Sequence, residues 1–372
     1  MHHYIRSIGF AGLAAVLLSG CASPPQGKTP YQPTADMAAV LAAQADLGAK
    51  PIDDLTPAQA RMNPSIADAV LKVEQQRGMS VAPMPAQVEN IQVQGAAGLL
   101  PARVYRPAAA TPGPLPIILY FHGGGWVIST IDTYDSSARA LANGAGAIVV
   151  SVEYRKGPED RFPAAHDDAI AAYRFVLQHA APLGGDERHV AVAGESAGGN
   201  LAFNVALAAR DQKLPMPVHQ LLVYPVASTD LTAPSVQENA RAKPLSRAAL
   251  EWFIKYYGRG PQDVADTRLN LLGVSDLQGL PPTTIILAQI DPLRSGGETL
   301  GDRLRTAGVP EETRLYPGMT HEFFGTGAVV PEGKAAVAFA SERLKQSFAA
   351  VPPLPAPPRR GRAVRAHTAQ GY

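Results

Sequence analysis

Ser196 stands at the join of two patterns in the stretch VAVAGESAGGNLAF, residues 190–203. Residues 190–193 form a short apolar run that predicts a buried strand, and residues 200–210 mix apolar and polar residues at helical spacing. A serine on a tight strand-to-helix turn is pushed outward. Given a base to take its proton, its hydroxyl becomes a nucleophile for acyl carbon. Gly194 and Gly198 carry no Cβ, so strand and helix can close on one another beside it. The five residues GESAG match G-x-S-x-G in the strand-turn-helix context that this motif requires.

Attack on an acyl carbon creates an oxyanion, which needs fixed donors. FHGGGW, residues 121–126, ends an apolar run at 116–121 and is suited to supply them. Gly123 and Gly124 leave the backbone free to aim two N–H groups at one point, and Ala197 adds a third from the start of the helix. The alternative is a glycine-rich turn without a catalytic role, and its position after a strand and ahead of the serine argues against it. Trp126 and Phe323 are the candidates for lining a substrate pocket, with packed core as the alternative for each.

Nine histidines compete for the base. His2 and His3 fall in the amino-terminal segment read below as a signal peptide, His367 in the carboxyl-terminal tail, and His122 in the oxyanion turn. His179, His189 and His219 sit within or beside elements that read as structural. His166, in FPAAHDD, precedes the serine and is expected to cap or face a helix. His321 follows the strand pattern around residues 314–316 through the turn Pro317-Gly318-Met319-Thr320, and it is the predicted base. Asp291 ends the run 284–290 and supplies a carboxylate to fix the imidazole tautomer and stabilise the imidazolium. A helix-capping role for Asp291 is compatible with that.

Elements able to position these residues alternate along the chain. Strand patterns occur at 88–93, 99–105, 116–121, 148–154, 190–193, 221–224, 284–290 and 312–316, the first two as an antiparallel pair. Helical patterns at 134–142, 164–179, 199–210, 247–257, 298–306 and 333–348 separate most of them. The prediction is an α/β fold with a mostly parallel sheet covered by helices on both faces. Sites on such sheets lie beyond the carboxyl ends of the strands, where the residues above fall. Ahead of the sheet, Met37, Val40, Leu41 and Leu47 share a helical face interrupted by Gln44, and Thr56-Pro57-Ala58-Gln59 has a capping-box start. These segments predict a helical cap at residues 35–80, joined by an insertion at 228–257.

The 372 residues are 46% hydrophobic and 17% charged, enough to bury a substantial core. A formal net charge of +1 gives no field favouring nucleic acid, so a small-molecule partner is expected. Cys21 is the only cysteine, which excludes an intramolecular disulfide and a multi-thiolate metal site; no metal is expected. Arg6, an apolar run at 8–18 too short to span a bilayer, and Leu18-Ser19-Gly20-Cys21 read as a signal peptide over residues 1–20. This resembles the bacterial lipoprotein lipobox, which implies cleavage before Cys21 and acylation of that cysteine. Several acyl chains at about 0.8 kcal/mol per buried methylene anchor stably without a transmembrane helix. Ala22 follows, where lipoproteins retained at the inner membrane usually carry Asp, so the resemblance points to the periplasmic face of an outer membrane. Residues 21–34 are expected to form a flexible linker, and 351–372, with Arg359, Arg360, Arg362 and Arg365, a disordered Pro/Arg-rich tail.

HGGGW at 122–126, GESAGG at 194–199, DPLR at 291–294 and a histidine two places before Phe323 give the chain a family resemblance. It resembles the α/β-hydrolases of the bacterial hormone-sensitive-lipase-like (family IV) esterases over roughly residues 35–350. That implies the α/β-hydrolase fold and hydrolysis of short- to medium-chain carboxylic esters through an acyl-enzyme, without a cofactor. The chain has DPLRSGG, His321-Glu322-Phe323 and YRKGPE where the family often has D-P-L-R-D-E-G, H-G-F and Y-R-L-A-P-E. No departure removes a triad member. An inward-pointing Glu322 carboxylate is expected to raise the His321 pKa. Hydrolysis of an amide, a carbamate or an envelope O-acetyl group on the same triad is the near alternative. A non-catalytic lipid-anchored binding protein is the distant one.

Overall fold

The computed structural model describes residues 2, 30–79, 84, 86–109 and 113–352. Cys21, the lipobox and the tail beyond residue 352 lie outside the described residues. Eight strands form one sheet: β1 (Ala86–Gln94), β2 (Leu99–Pro107), β3 (Leu115–Phe121), β4 (Ile148–Val152), β5 (Gly185–Glu195), β6 (Gln220–Val223), β7 (Thr283–Ile290) and β8 (Glu311–Thr320). Their order is β1-β2-β4-β3-β5-β6-β7-β8. The pairs β1–β2 and β2–β4 are antiparallel and every other pair is parallel.

Strict alternation along each strand divides two hydrophobic cores. Ile117, Leu119 and Phe121 join Val192, Leu222, Ile285 and Leu287 on one face, beneath the helices Ala164–His179, Ala197–Asp211 and Arg294–Thr306. Ile118 and Tyr120 join Ala193, Val223 and Ile286 on the other, beneath Asp135–Ala145 and Pro331–Ala349. Both faces are buried, so the central strands are near-continuous apolar runs.

The expected turn at 317–320 is instead part of β8. Tyr316 pairs with Ala288 and Thr320 with Ile290, so β8 bulges against β7. Gly318 takes a left-handed φ of 69°, and its N–H donates to Gln289 Oε1 at 2.9 Å. His321 therefore follows the last strand residue directly.

Ahead of β1, helix Ala35–Asp46 buries Met37, Val40 and Ala43, while Leu47, which was expected on that face, is 40% exposed at the helix end. Gln44 leaves the apolar face by donating its side-chain amide to Pro64 O at 3.0 Å. The capping box at Thr56 is formed, but the helix it starts, Pro57–Ala60, is only four residues long. A further helix, Ile66–Gln76, was not apparent from the sequence pattern. Its Ser65–Asp68 capping box and buried Ile66, Ala69, Val70 and Val73 seat it in the same core as Ala35–Asp46.

Candidate active site

β5 ends at Glu195 and the next helix begins at Ala197, so Ser196 alone turns the chain. Its φ of 56° and ψ of −116° are sparsely populated for a residue with a Cβ, a conformation costing on the order of 1–3 kcal/mol. The surroundings hold it there. Ser196 N–H donates to Val223 O at 2.8 Å, and Val226 N–H donates to Ser196 O at 3.1 Å. A Cβ on Gly194 would lie 2.2 Å from Gly198 O, and one on Gly198 would lie 2.0 Å from Phe121 O. Only glycine permits these backbones to meet.

Asp291, directly after β7, is fully buried, and its Oδ1 accepts the Leu293 N–H at 2.8 Å. Its Oδ2 lies 2.7 Å from His321 Nδ1, and His321 Nε2 lies 2.9 Å from Ser196 Oγ. With Nδ1 protonated, the imidazole donates to Asp291 and accepts from Ser196, the polarity a general base requires. Burial works to lower the His321 pKa, but the Asp291 carboxylate, helped by Glu322 and Glu195, more than offsets it and leaves the imidazole above its ordinary value.

The turn after β3 packs on this corner. A Cβ on Gly123 would meet the Tyr134 hydroxyl at 2.3 Å and Glu195 O at 3.1 Å. Among the described residues, no acceptor takes the N–H of Gly123, Gly124 or Ala197. His122 does not face the reaction centre. It is fully buried, stacks on Tyr154 with centroids 4.4 Å apart, and its Nδ1 lies 2.7 Å from Gly123 O. Burial pushes its pKa down to about 4.

His166 is brought to a different place from the triad. Its Nδ1 lies 3.0 Å from Tyr257 Oη and its Nε2 2.9 Å from Asn200 Oδ1, and burial holds its pKa near about 4. Trp126 stacks on Tyr257, centroids 4.9 Å apart, and lines the cavity above Ser196. Phe323, expected in the pocket, is instead core. It has no exposed surface and packs among Tyr224 and Tyr316, because the short helix Phe323–Thr326 turns its ring under the sheet end.

Two carboxyls lie behind the histidine: the buried Glu195, which carried no sequence signal, and the half-buried Glu322, which the sequence had already set beside His321. Glu195 accepts the Tyr120 hydroxyl at 2.5 Å and also that of Tyr224, whose ring lies 4.6 Å from the His321 ring. Burial raises the Glu195 pKa against the pull of those hydroxyls. Glu322 accepts the Tyr134 hydroxyl at 3.2 Å, and burial raises its pKa as well. Its carboxylate raises the His321 pKa, in the direction the sequence led us to expect, although Asp291 contributes more.

Ser196 and His321 open onto a cavity of about 680 Å³, within the usual size for a small-molecule site. Its walls come from residues 41–71 on one side and 226–269 on the other, including Ile52, Leu71, Leu250 and Phe253.

Residues 118–325 match the family model described as the alpha/beta hydrolase fold. Carboxylesterase NlhH of Mycobacterium tuberculosis is 44% identical over 253 residues, 67% of this chain and 79% of that protein. Ethyl acetate hydrolase of Pseudomonas putida is 37% identical over 250 residues, 66% of this chain and 78% of its own. An ester hydrolase from the metagenome of Lake Arreo, solved with a derivative of bipyridine phosphonate, superposes with a TM-score of 0.76 at 36% identity, covering 85% of this chain and 99% of that one. With its family match over more than half of its length and esterases as relatives, the chain belongs to the α/β-hydrolase family, among the esterases of its hormone-sensitive-lipase-like branch.

Proposed function

We propose that the chain is a serine carboxylesterase that hydrolyses short- to medium-chain esters through Ser196, His321 and Asp291. The observation that carries this reading is the unbroken line from Asp291 Oδ2 through His321 to Ser196 Oγ, with contacts of 2.7 and 2.9 Å at the floor of the cavity. His321 takes the proton of Ser196 as the hydroxyl oxygen attacks the ester carbonyl. The oxyanion is held by the N–H groups of Gly123, Gly124 and Ala197, each donor contributing about 10²–10³ in rate. The tetrahedral intermediate collapses, and the alcohol leaves with the proton from His321. Water, deprotonated by the same imidazole, then attacks the acyl-enzyme, and the carboxylic acid departs as Ser196 is reprotonated. Asp291 keeps the tautomer and stabilises the imidazolium throughout. Each proton and each charge is handled by groups of the chain itself.

The two segments walling the cavity, near 35–80 and 228–257, are read as a cap that limits acyl length. We also read Cys21 as the lipidated first residue of a mature envelope protein at the periplasmic face of the outer membrane, on the strength of the Leu18–Cys21 pattern. Among the described residues, no helix is long and apolar enough to cross a membrane.

The test is hydrolysis of a chain-length series of p-nitrophenyl esters by the wild type and Ser196→Ala. Activity that peaks at short acyl chains and vanishes in the variant supports the reading, whereas equal activity in both forms refutes it. For the anchor, acylation of Cys21 by mass spectrometry and release of Cys21→Ala from the membrane fraction are expected.

A further inference from the structure

The turn that carries two of the oxyanion donors is a demanding piece of backbone. Gly124, Gly125 and Trp126 follow one another with φ of 98°, 57° and 59°, and the left-handed conformation is unfavourable for a residue with a Cβ such as Trp126. Such a conformation persists where the surroundings hold it. Within the turn, the N–H groups of Val127 and Ile128 both donate to Gly124 O at 3.0 Å, and from a neighbouring loop Gly157 N–H donates to Trp126 O at 2.8 Å. A further hold comes from the segment ahead of the sheet. Arg61 closes the helix Pro57–Ala60, and its Nε–H donates to Val127 O at 2.9 Å while Nη2 donates to Gly157 O at 2.7 Å. The guanidinium therefore bridges the two stretches of chain that the Gly157–Trp126 bond pairs.

Arg61 also lines the cavity, which would suit a group that binds an anionic substrate. Its hydrogen bonds argue against that role. Besides the two carbonyls, it binds both oxygens of Glu159, Oε1 at 2.9 Å from Nη1 and Oε2 at 2.6 Å from Nη2, and this bidentate carboxylate neutralises its charge. The planar fork of arginine suits such a bridge, whereas a lysine ammonium is a single point charge. Contacts from the second segment walling the cavity converge on the same place. Trp252 Nε1 donates to Leu55 O at 2.8 Å, which ties the chain leading to Arg61 to the helix Arg247–Tyr257. From that helix, Phe253 covers Gly125 so closely that a Cβ there would lie 2.1 Å from its ring. Both segments thus bear on the oxyanion turn.

We propose that Arg61 is a positioning residue for the oxyanion donors: by fixing the turn at Val127 O, it keeps the N–H groups of Gly123 and Gly124 aimed at the oxygen on which charge develops. The segment ahead of the sheet then takes part in the chemistry as well as walling the cavity. A loosened turn weakens an interaction that is made in the transition state, so its loss falls on kcat rather than on substrate binding. This rests on the serine esterase reading above and adds a determinant of its rate.

The experiment compares the wild type with Arg61→Ala and Arg61→Lys on p-nitrophenyl butyrate. Active sites are counted by the p-nitrophenolate burst from diethyl p-nitrophenyl phosphate, so that misfolded protein does not enter kcat. Since a misplacement of about 1 Å costs about 10²-fold, kcat per site should fall by about ten- to a hundredfold in Arg61→Ala, with KM within about threefold of the wild type. The second readout is the Ki of a trifluoromethyl alkyl ketone. Ser196 Oγ adds to its carbonyl carbon, the proton passes to His321, and the carbonyl oxygen becomes an oxyanion on the same donors. That Ki should rise in parallel with the loss in kcat/KM. Arg61→Lys, the second variant should the alanine protein fail to fold, should show the same parallel with a smaller loss. A kcat per site within about threefold of the wild type in both variants overturns the proposal, as does a loss confined to KM, which would leave Arg61 as cavity wall alone. So does a ketone Ki that stays at the wild-type value while kcat falls. Failure of the esterase reading looks different: the wild type then shows no Ser196-dependent turnover and no burst.

Discussion

Gly198→Ala is the substitution whose consequence can be followed furthest through the structure. The added methyl would lie 2.0 Å from Phe121 O and 2.5 Å from His122 O, both main-chain atoms, whereas real contacts of this type essentially never fall below 3.0 Å. The two backbones must separate by about 1 Å, and no flexible side chain is available to absorb the strain. If the turn after β3 gives way, Gly123 and Gly124 move off the oxyanion; if the helix Ala197–Asp211 gives way, Ser196 leaves the 2.9 Å contact with His321. A misplacement of this size costs about 10²-fold in rate, and the overpacking costs about 1–3 kcal/mol of stability. The assay is kcat and KM on p-nitrophenyl butyrate together with the thermal midpoint. We expect kcat to carry most of the loss, because the oxyanion donors act in the transition state, and Tm to fall by several degrees. Gly296→Ala is the contrast: it lies inside the helix Arg294–Thr306, its nearest neighbour, Ser228 Cβ, is 3.4 Å from the new methyl, and helix propensity alone favours alanine by about 1 kcal/mol. A Gly198→Ala protein that keeps more than a third of wild-type kcat/KM with an unchanged Tm would refute the close-approach argument.

Asp291→Asn should lower kcat by about 10⁴ through the wrong imidazole tautomer. In the wild type, kcat/KM should rise with pH through a His321 pKa above the ordinary imidazole value, and any residual activity of the Asn variant should show that limb at lower pH; an unshifted limb removes Asp291 as the cause. His122, His166 and His219 are fully buried, and burial lowers their pKa values to about 4, about 4 and about 3. The unfolded chain binds protons first as pH falls below about 6.5, so stability is lost on acidification by about 2 kcal/mol per histidine between about pH 7 and pH 5. Urea midpoints at the two pH values measure this, and equal midpoints would contradict it. Phe323→Ala should destabilise by about 3–5 kcal/mol as a core truncation, read from denaturant unfolding, whereas Trp126→Ala should change relative rates across an acyl-chain series; unchanged relative rates would take Trp126 out of the substrate pocket.

What was legible in the sequence was legible because one local requirement left few residue choices. Two main chains meet at Gly194 and Gly198 with no room for a Cβ, so the corner carrying Ser196 is written as glycine whatever surrounds it. The helices Ala164–His179 and Arg247–Tyr257 likewise coincide with their patterns, since periodicity, and for the second the Ser246 cap, act within a few residues. Features that depend on distant partners were not legible. The bulge that absorbs Pro317–Thr320 into β8 is stabilised by the side chain of Gln289 on the neighbouring strand, and no property of residues 317–320 announces it. Ile66–Gln76 did carry a local signal in Ser65 and Asp68, but the apolar face behind it only makes sense beside Ala35–Asp46. Phe323 and Trp126 illustrate the same limit, because an aromatic residue near a motif has equal claim to core and pocket until the backbone aims it. At Glu322 the backbone takes a left-handed φ of 66° and the carboxylate accepts the hydroxyl of Tyr134, a partner 188 residues away in the chain, so neither feature could be read locally. The serine corner is therefore written in residue types and spacing, while the carboxyls and rings packed behind it depend on partners that only the assembled fold brings together.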